Sequence, residues 1–346
     1  MINDICINNL ELNEKEIKEK KLILDSKPLK LGIIVTNKCN LNCIMCPSIR
    51  RNGKSTLPKS IFKNIYEILP YLCRIDWQGG EIFLIEYLKD IFQDLIPYKN
   101  IEHHITTNGL LLDKEWLNIL SELNIRFIFS IDSVIPEIYE YIRKGAKFNI
   151  LLKKIDLLNE MECSINKKIH KIITVVVMKS NLDGLELFVE FAKKYNFEQI
   201  EFLPVNVSGE EDIFTNMTEE TRDILNNKME NIKNLARNYN LLIMDKLPIN
   251  RQTDISNLKI RENISKEIFC ILPWKSLWID VTREGDVFPD CMCLWKVGNI
   301  YKDRIINLWN NSQMVNYRRN IIDNKLNFCN NFCTDGLRSQ GILYDN

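Results

Sequence analysis

Short apolar, β-branched runs alternate with amphipathic stretches through residues 31–204, and this alternation constrains the fold more than any other feature of the chain. The runs are LGIIVT (31–36), CRIDWQ (73–78), HHITT (103–107), RFIFSI (126–131), KIITVVVM (171–178) and QIEFLP (199–204). Between them, 58–69, 86–97, 113–122, 147–160 and 183–195 carry apolar residues at helical spacing, as Leu151, Leu152, Ile155 and Leu158 do. Strands separated by helical crossovers of this length pair in parallel. The pattern therefore predicts an α/β fold: a doubly wound sheet, or a partial or full (β/α) barrel.

The rest of the chain divides around that series. Residues 1–30 read as a helical lead-in that ends at Pro28. The strand–helix series occupies 31–205. Residues 206–268 are polar and rich in Asn, Glu and Lys, with one helix expected over 218–238 and a linker over 245–265. From 269 to 346 the character changes: WKSLWIDV, the turn TREGD and the strand VFP predict a hairpin, followed by a helix near 303–320 and a cysteine-bearing tail. The 46 basic and 46 acidic side chains cancel, which argues against a general nucleic-acid or membrane-surface binder. The N-terminus lacks a signal-peptide core and no apolar run is long enough to span a bilayer. A cytoplasmic location is expected, where thiols stay reduced and available to metals.

The chain has 11 cysteines beside 3 histidines. Directly after the first strand comes TNKCNLNCIMCPS, placing Cys39, Cys43 and Cys46 in a C-x3-C-x2-C spacing. One short loop can aim three thiolates at a common point only when they lie this close, and iron–sulfur clusters are held in this way. Three cysteines leave a fourth iron without a protein ligand. An open coordination position is also what separates catalytic from structural metal centres in zinc proteins. Zinc itself would want a fourth Cys or His nearby, and the loop has none.

This motif, placed behind the first strand of a βα series, resembles the radical S-adenosylmethionine (radical SAM) superfamily over residues 31–205. The resemblance implies a partial (β/α)6 TIM-like barrel and a [4Fe–4S] cluster on Cys39, Cys43 and Cys46. It implies that S-adenosylmethionine chelates the free iron and is cleaved reductively to a 5′-deoxyadenosyl radical that abstracts a substrate hydrogen. Later strand ends are similar to the family in order. Gly79-Gly80-Glu81 resembles its GGE motif, implied to contact the amino group of S-adenosylmethionine. Thr106-Thr107-Asn108-Gly109 resembles its TNG. Ser130 and Asp132 sit where the family reaches the ribose, Arg143 where it places an arginine near the cofactor, and Asn181 where it hydrogen-bonds the adenine. Read alone, these segments are a turn, an Asn-Gly turn, a helix N-cap and an exposed helical arginine.

Five more cysteines, Cys270, Cys291, Cys293, Cys329 and Cys333, gather in the C-terminal region. Their order around a hairpin and helix, with GNIYKDRIINLWNNSQMVNYRR, resembles the SPASM/twitch extensions of radical SAM enzymes. The resemblance implies one auxiliary [4Fe–4S] cluster on Cys270, Cys291, Cys329 and Cys333, with Cys293 the alternative to Cys291. A structural zinc on four cysteines is the competing reading. Cys6, Cys73 and Cys163 read as a tail residue and two packing residues.

The expected activity is hydrogen abstraction from a substrate C–H bond, leading to oxidation (dehydrogenation), epimerisation or cross-linking of a small molecule or peptide, an oxidoreductase type. A reducing donor such as a flavodoxin or ferredoxin is the implied partner. Only 38 residues precede Cys39, so a separate peptide-recognition domain ahead of the barrel is not expected. A non-catalytic iron–sulfur electron-transfer protein and a zinc-binding interaction module are the alternatives.

Overall fold

The computed structural model describes residues 2–46, 55–206, 209–249, 268–323, 325 and 343–345. In chain order its strands are β1 (Lys30–Thr36), β2 (Asn42–Cys43), β3 (Arg74–Gly79), β4 (Glu102–Thr107), β5 (Asn124–Ser130), β6 (Arg143–Lys144) and β7 (His170–Val177). Then follow β8 (Gln199–Pro204), β9 (Leu242–Asp245), β10 (Ile268–Cys270), β11 (Ser276–Asp280), β12 (Asp286–Phe288), β13 (Gly298–Asn299) and β14 (Leu343–Asp345). The longer helices are α1 (Ile2–Lys18), α2 (Leu88–Leu95), α3 (Lys114–Ser121), α4 (Pro136–Ile142), α5 (Phe148–Ile165), α6 (Leu187–Lys194), α7 (Glu219–Arg237) and α8 (Ser312–Ile322).

One sheet runs β13-β12-β11-β1-β3-β4-β5-β7-β8-β9. Every neighbouring pair from β11 to β9 is parallel. The six expected runs form β1, β3, β4, β5, β7 and β8, and they lie side by side in sequence order. This order decides between the two α/β alternatives. A doubly wound sheet reverses its strand order at a switch point. Here it never reverses within the series, so right-handed crossovers place every helix on one face and leave the other as the inner face of a partial barrel.

The helices form where local chemistry allows. In α2, Leu88, Ile91, Phe92 and Leu95 make one buried stripe. Asp113 caps α3 by accepting from the Trp116 amide, and Thr218 caps α7 through Thr221. Pro136 opens α4 at its first turn. Asn166, with φ 48°, ends α5 in the left-handed region.

Alternation along the strands sorts the two faces. Ile33, Val35, Trp77, Ile105, Phe127, Phe129, Ile173 and Val175 are buried under the helices. Trp77 lies 4.9 Å from Phe92 and 6.2 Å from Phe62, and its indole N–H donates to His103 Nδ1. The alternate residues Ile34, Gln78, Thr106, Ile128, Ser130, Thr174, Val176 and Leu203 are only partly buried and line the inner face.

The strand starts, at the end of the barrel opposite the cysteine loop, carry a chain of charges. Lys30 bridges Asp76 and Asp290 at 3.2 and 3.1 Å. Arg74 holds Asp76, His104 and Arg126 hold Glu102, and Arg126 continues to Glu198, which also meets His170. These groups close the floor of the barrel with mutually compensated charge. The His104 hydrogen bond, opposed by burial and helped by the charges of His104 and Arg126, pulls Glu102 down to about 2 from an ordinary 4.5. A depressed carboxyl stabilises the fold above its unfolded pKa and loses that contribution as pH falls from about 4.5 towards 2. Glu102→Gln should therefore melt below the wild type near neutral pH, and the gap in Tm should shrink as the pH is lowered through 4 to 3. An unchanged gap across that range would show that Glu102 titrates normally.

The C-terminal region continues the same sheet. Ser276–Asp280 pairs with β1 in register, Gly32 opposite Trp278. A Cβ on Gly32 would lie 1.8 Å from the Trp278 ring, so the glycine makes room for the indole. The lead-in helix joins both parts. Asn9 donates to the carbonyls of Lys27 and Tyr71, Asn13 to that of Trp274, and Arg318 of α8 to those of Pro273 and Leu22.

Candidate active site

Parallel strands bring all their C-terminal ends to one rim, so Thr36, Gly79, Thr107, Ser130, Val177 and Pro204 surround one opening. The cysteine loop leaves β1 at this rim and is fastened on two sides. On one, Gly80 N–H donates to Thr36 O at 2.7 Å and Glu81 N–H to Lys38 O at 2.8 Å. A Cβ on Gly80 would sit 2.1 Å from Lys38 O, so glycine is needed for this approach. On the other, β2 pairs antiparallel with β6, setting Cys43 opposite Arg143. Ile44 N–H adds a bond to Ile142 O. The loop is thus held between the end of β3 and the end of α4.

Cys43 is buried, and Cys39 and Cys46 are partly exposed. Leu41 N–H donates to Cys39 Sγ at 3.4 Å, and Asn108 Nδ2 bonds Asn40 Oδ1 at 2.9 Å within reach of Cys39 Sγ. Burial pushes the Cys43 thiol up to about 11, with the nearby Arg143 charge acting the other way. Metal loading must then displace a tightly held proton.

Arg143 is 5% exposed. Its Nη2 lies 2.7 Å from Asp132 Oδ2 and its Nη1 3.9 Å from Cys43 Sγ. Burial opposes its charge, yet the Asp132 carboxylate and Cys43 outweigh that and hold its pKa above the ordinary value. Its Nε is buried without a hydrogen-bond partner. Asp132 is itself fully buried and accepts the Val176 amide through Oδ1.

The remaining expected site residues fall on the same rim but are spent differently. Glu81 is fully buried; its carboxylate accepts from Thr107 Oγ1, Asn108 N–H and Phe83 N–H. Burial, offset by these bonds, raises its pKa to about 7. The segment therefore ties β3 to β4 through Glu81 and presents the exposed Gly79 outward. Asn181 is also buried. It donates to Asp132 O and Val176 O and accepts from Met178 N–H, so it braces the ends of β5 and β7. Ser130 is half-buried on the inner face. The inner-face residues Gln78, Thr106, Ile128, Thr174, Val176 and Leu203 were not distinguishable from core in the sequence. Their signal is partial burial at alternate positions.

Three thiols, one open side and a buried guanidinium with a spare donor fit an anionic multi-thiolate centre. In the C-terminal region Cys270 ends β10 and Cys293 accepts from Tyr317 Oη at 3.3 Å, both buried, while Cys291 is exposed. Cys329 and Cys333 lie outside the described residues. No helix among the described residues is long and apolar enough to cross a membrane.

The family model of the radical SAM superfamily matches residues 33–192, and that of an iron–sulfur cluster-binding domain, SPASM, matches 270–334. An uncharacterised protein of Methanocaldococcus jannaschii is 33% identical over 49% of this chain and 59% of its own length. A GTP 3′,8-cyclase of Limosilactobacillus fermentum is 30% identical over 52% of this chain and 55% of its own. The matches thus span less than two thirds of these relatives. Among solved structures, Streptococcus suis SuiB bound to S-adenosylmethionine superposes with a TM-score of 0.66 at 18% identity, over 90% of this chain and 72% of that one. anSMEcpe with bound AdoMet and the Cp18Cys peptide gives 0.61 at 18% identity, over 85% and 83%. The chain thus carries a radical SAM domain over residues 33–192, with a SPASM iron–sulfur cluster-binding domain over 270–334.

Proposed function

We propose that the chain is a radical SAM enzyme that abstracts a hydrogen atom from a small molecule or peptide held in the barrel, leading to oxidation, epimerisation or cross-linking. The observation that carries this reading is the Cys39–Cys43–Cys46 loop pinned between Gly79-Gly80-Glu81 and the buried Asp132–Arg143 pair at the mouth of the partial barrel. A [4Fe–4S] cluster on the three thiolates, with S-adenosylmethionine bound to it, would supply one-electron cleavage to a 5′-deoxyadenosyl radical. Arg143 sets positive charge against the thiolates, and Asp132 keeps it in place. Glu81 and Asn181 hold four strand ends, those of β3, β4, β5 and β7, around the opening. Gly79, Asn108 and Ser130 offer rim positions for S-adenosylmethionine. Gln78, Thr106 and Thr174 add polar groups to a wall otherwise made by Ile34, Ile128, Val176 and Leu203, against which a substrate C–H bond is presented away from water.

Cys270, Cys291, Cys329 and Cys333 are proposed to hold an auxiliary [4Fe–4S] cluster that accepts or passes an electron. A reduced flavodoxin or ferredoxin is the proposed donor. The fit of SuiB and anSMEcpe supports the fold, and the cyclase relatives leave the reaction open. The test is anaerobic reconstitution with iron and sulfide, followed by reduction in the presence of S-adenosylmethionine. About eight irons per chain and formation of 5′-deoxyadenosine are expected from two cubane clusters. Colourless, zinc-loaded protein that leaves S-adenosylmethionine intact overturns the reading. Deuterium transfer from labelled candidates into 5′-deoxyadenosine then identifies the substrate.

A further inference from the structure

Two cysteines outside both clusters meet in the structure. Cys6 lies within α1, not in a loose tail, because α1 packs along residues 66–71 and buries the thiol at 6% exposure. Cys73 immediately precedes β3, its backbone bonded to Leu29 and Glu102. The two sulfurs are 3.2 Å apart, and Cys6 Sγ also reaches Leu72 O. They lie 67 positions apart in sequence. A disulfide needs sulfurs about 2.05 Å apart, so the bond requires a closure of only about 1 Å.

We propose that Cys6 and Cys73 are an oxidisable dithiol, separate from the cluster ligands, that forms an intramolecular disulfide by exchange with a small-molecule disulfide. Cys73, the more accessible of the two, loses its proton, and its sulfur attacks one sulfur of the small disulfide. That S–S bond breaks and the first small thiol leaves as it takes up a proton. Cys6 then loses its proton, and its sulfur attacks Cys73 Sγ and expels the second small thiol. Two protein thiols are oxidised and one small disulfide is reduced to two thiols. The product staples α1 to the start of β3, the strand whose other end carries Gly79-Gly80-Glu81. Burial and the neighbouring Cys6 raise the Cys73 thiol above its ordinary range, which slows its attack as a thiolate.

The reconstituted holoenzyme is incubated with oxidised glutathione in oxygen-free buffer, alkylated, digested and analysed by mass spectrometry. Its visible absorption is followed to confirm that the clusters persist. The expected result is a Cys6-containing peptide joined to a Cys73-containing one, with an upward shift in Tm that dithiothreitol reverses. Cys6→Ser should leave Cys73 as its glutathione adduct and show no such shift. Recovery of both cysteines alkylated, or each as a separate glutathione adduct, or Cys73 joined to another cysteine, overturns the proposal.

Discussion

Cys43→Ala is expected to abolish cleavage of S-adenosylmethionine and to lower the iron content from about eight to about four atoms per chain. The mutation would remove one of the three thiolates proposed to hold the cluster, and two thiolates would not hold a cubane firmly enough to survive reconstitution. The fold should survive. Cys43 is buried, but its backbone pairing with Arg143 does not depend on the side chain. Truncating Cys to Ala removes one sulfur atom from the edge of the core, a loss of about 1 kcal/mol. A melting temperature lowered by no more than about 4 °C together with lost cleavage would therefore assign the defect to the cluster. Retained 5′-deoxyadenosine formation in Cys43→Ala would sink the assignment of this loop. The remaining four irons should give the spectrum of a cluster that does not respond to S-adenosylmethionine, which separates the C-terminal centre from the first.

Much of this architecture was legible in the sequence because burial leaves a strong imprint. Six β-branched runs are needed to cover a sheet packed under helices, and each became a strand. The cysteine spacing was equally legible, since three thiols on one loop have few other uses. What stayed hidden lay in pairings that no local pattern encodes. Leu242–Asp245 adds β9 to the sheet although its residues are mostly half-buried and polar neighbours surround it. The hairpin signal at 274–288 gave no hint that Ser276–Asp280 would lie parallel to β1. The two-residue ladder of Cys43 with Arg143 is too short to leave any periodicity. No local pattern marks the charge network at the strand starts: register places Lys30, Arg74 and Glu102 side by side, and Arg126, opposite His104, reaches Glu102 through its side chain. Glu81 and Asn181 were expected to face a ligand. Their side-chain hydrogen bonds run to neighbouring strand ends, tertiary contacts that are invisible in the motifs themselves.

Arg143→Leu should be the most destabilising single change at the rim. Asp132 is fully buried, and Arg143 Nη2 at 2.7 Å is the cation that compensates it. Removing one partner of a buried ion pair leaves an uncompensated charge and costs about 3–5 kcal/mol. That exceeds what the pair adds over an apolar replacement, because desolvation is charged against both ions from the start. Asp132→Asn in the same chain removes the stranded carboxylate while keeping a carbonyl for the Val176 amide, so Asp132→Asn/Arg143→Leu should recover a large part of the lost stability. Urea unfolding of the two single variants, the double variant and the wild type closes the cycle. Purely additive losses would mean that the two charges do not depend on each other. Stability and chemistry should also part company: the double variant should fold yet cleave S-adenosylmethionine poorly, because the guanidinium beside Cys43 is gone. If the double variant recovers cleavage along with stability, Arg143 serves the fold alone and the thiolates need no positive neighbour.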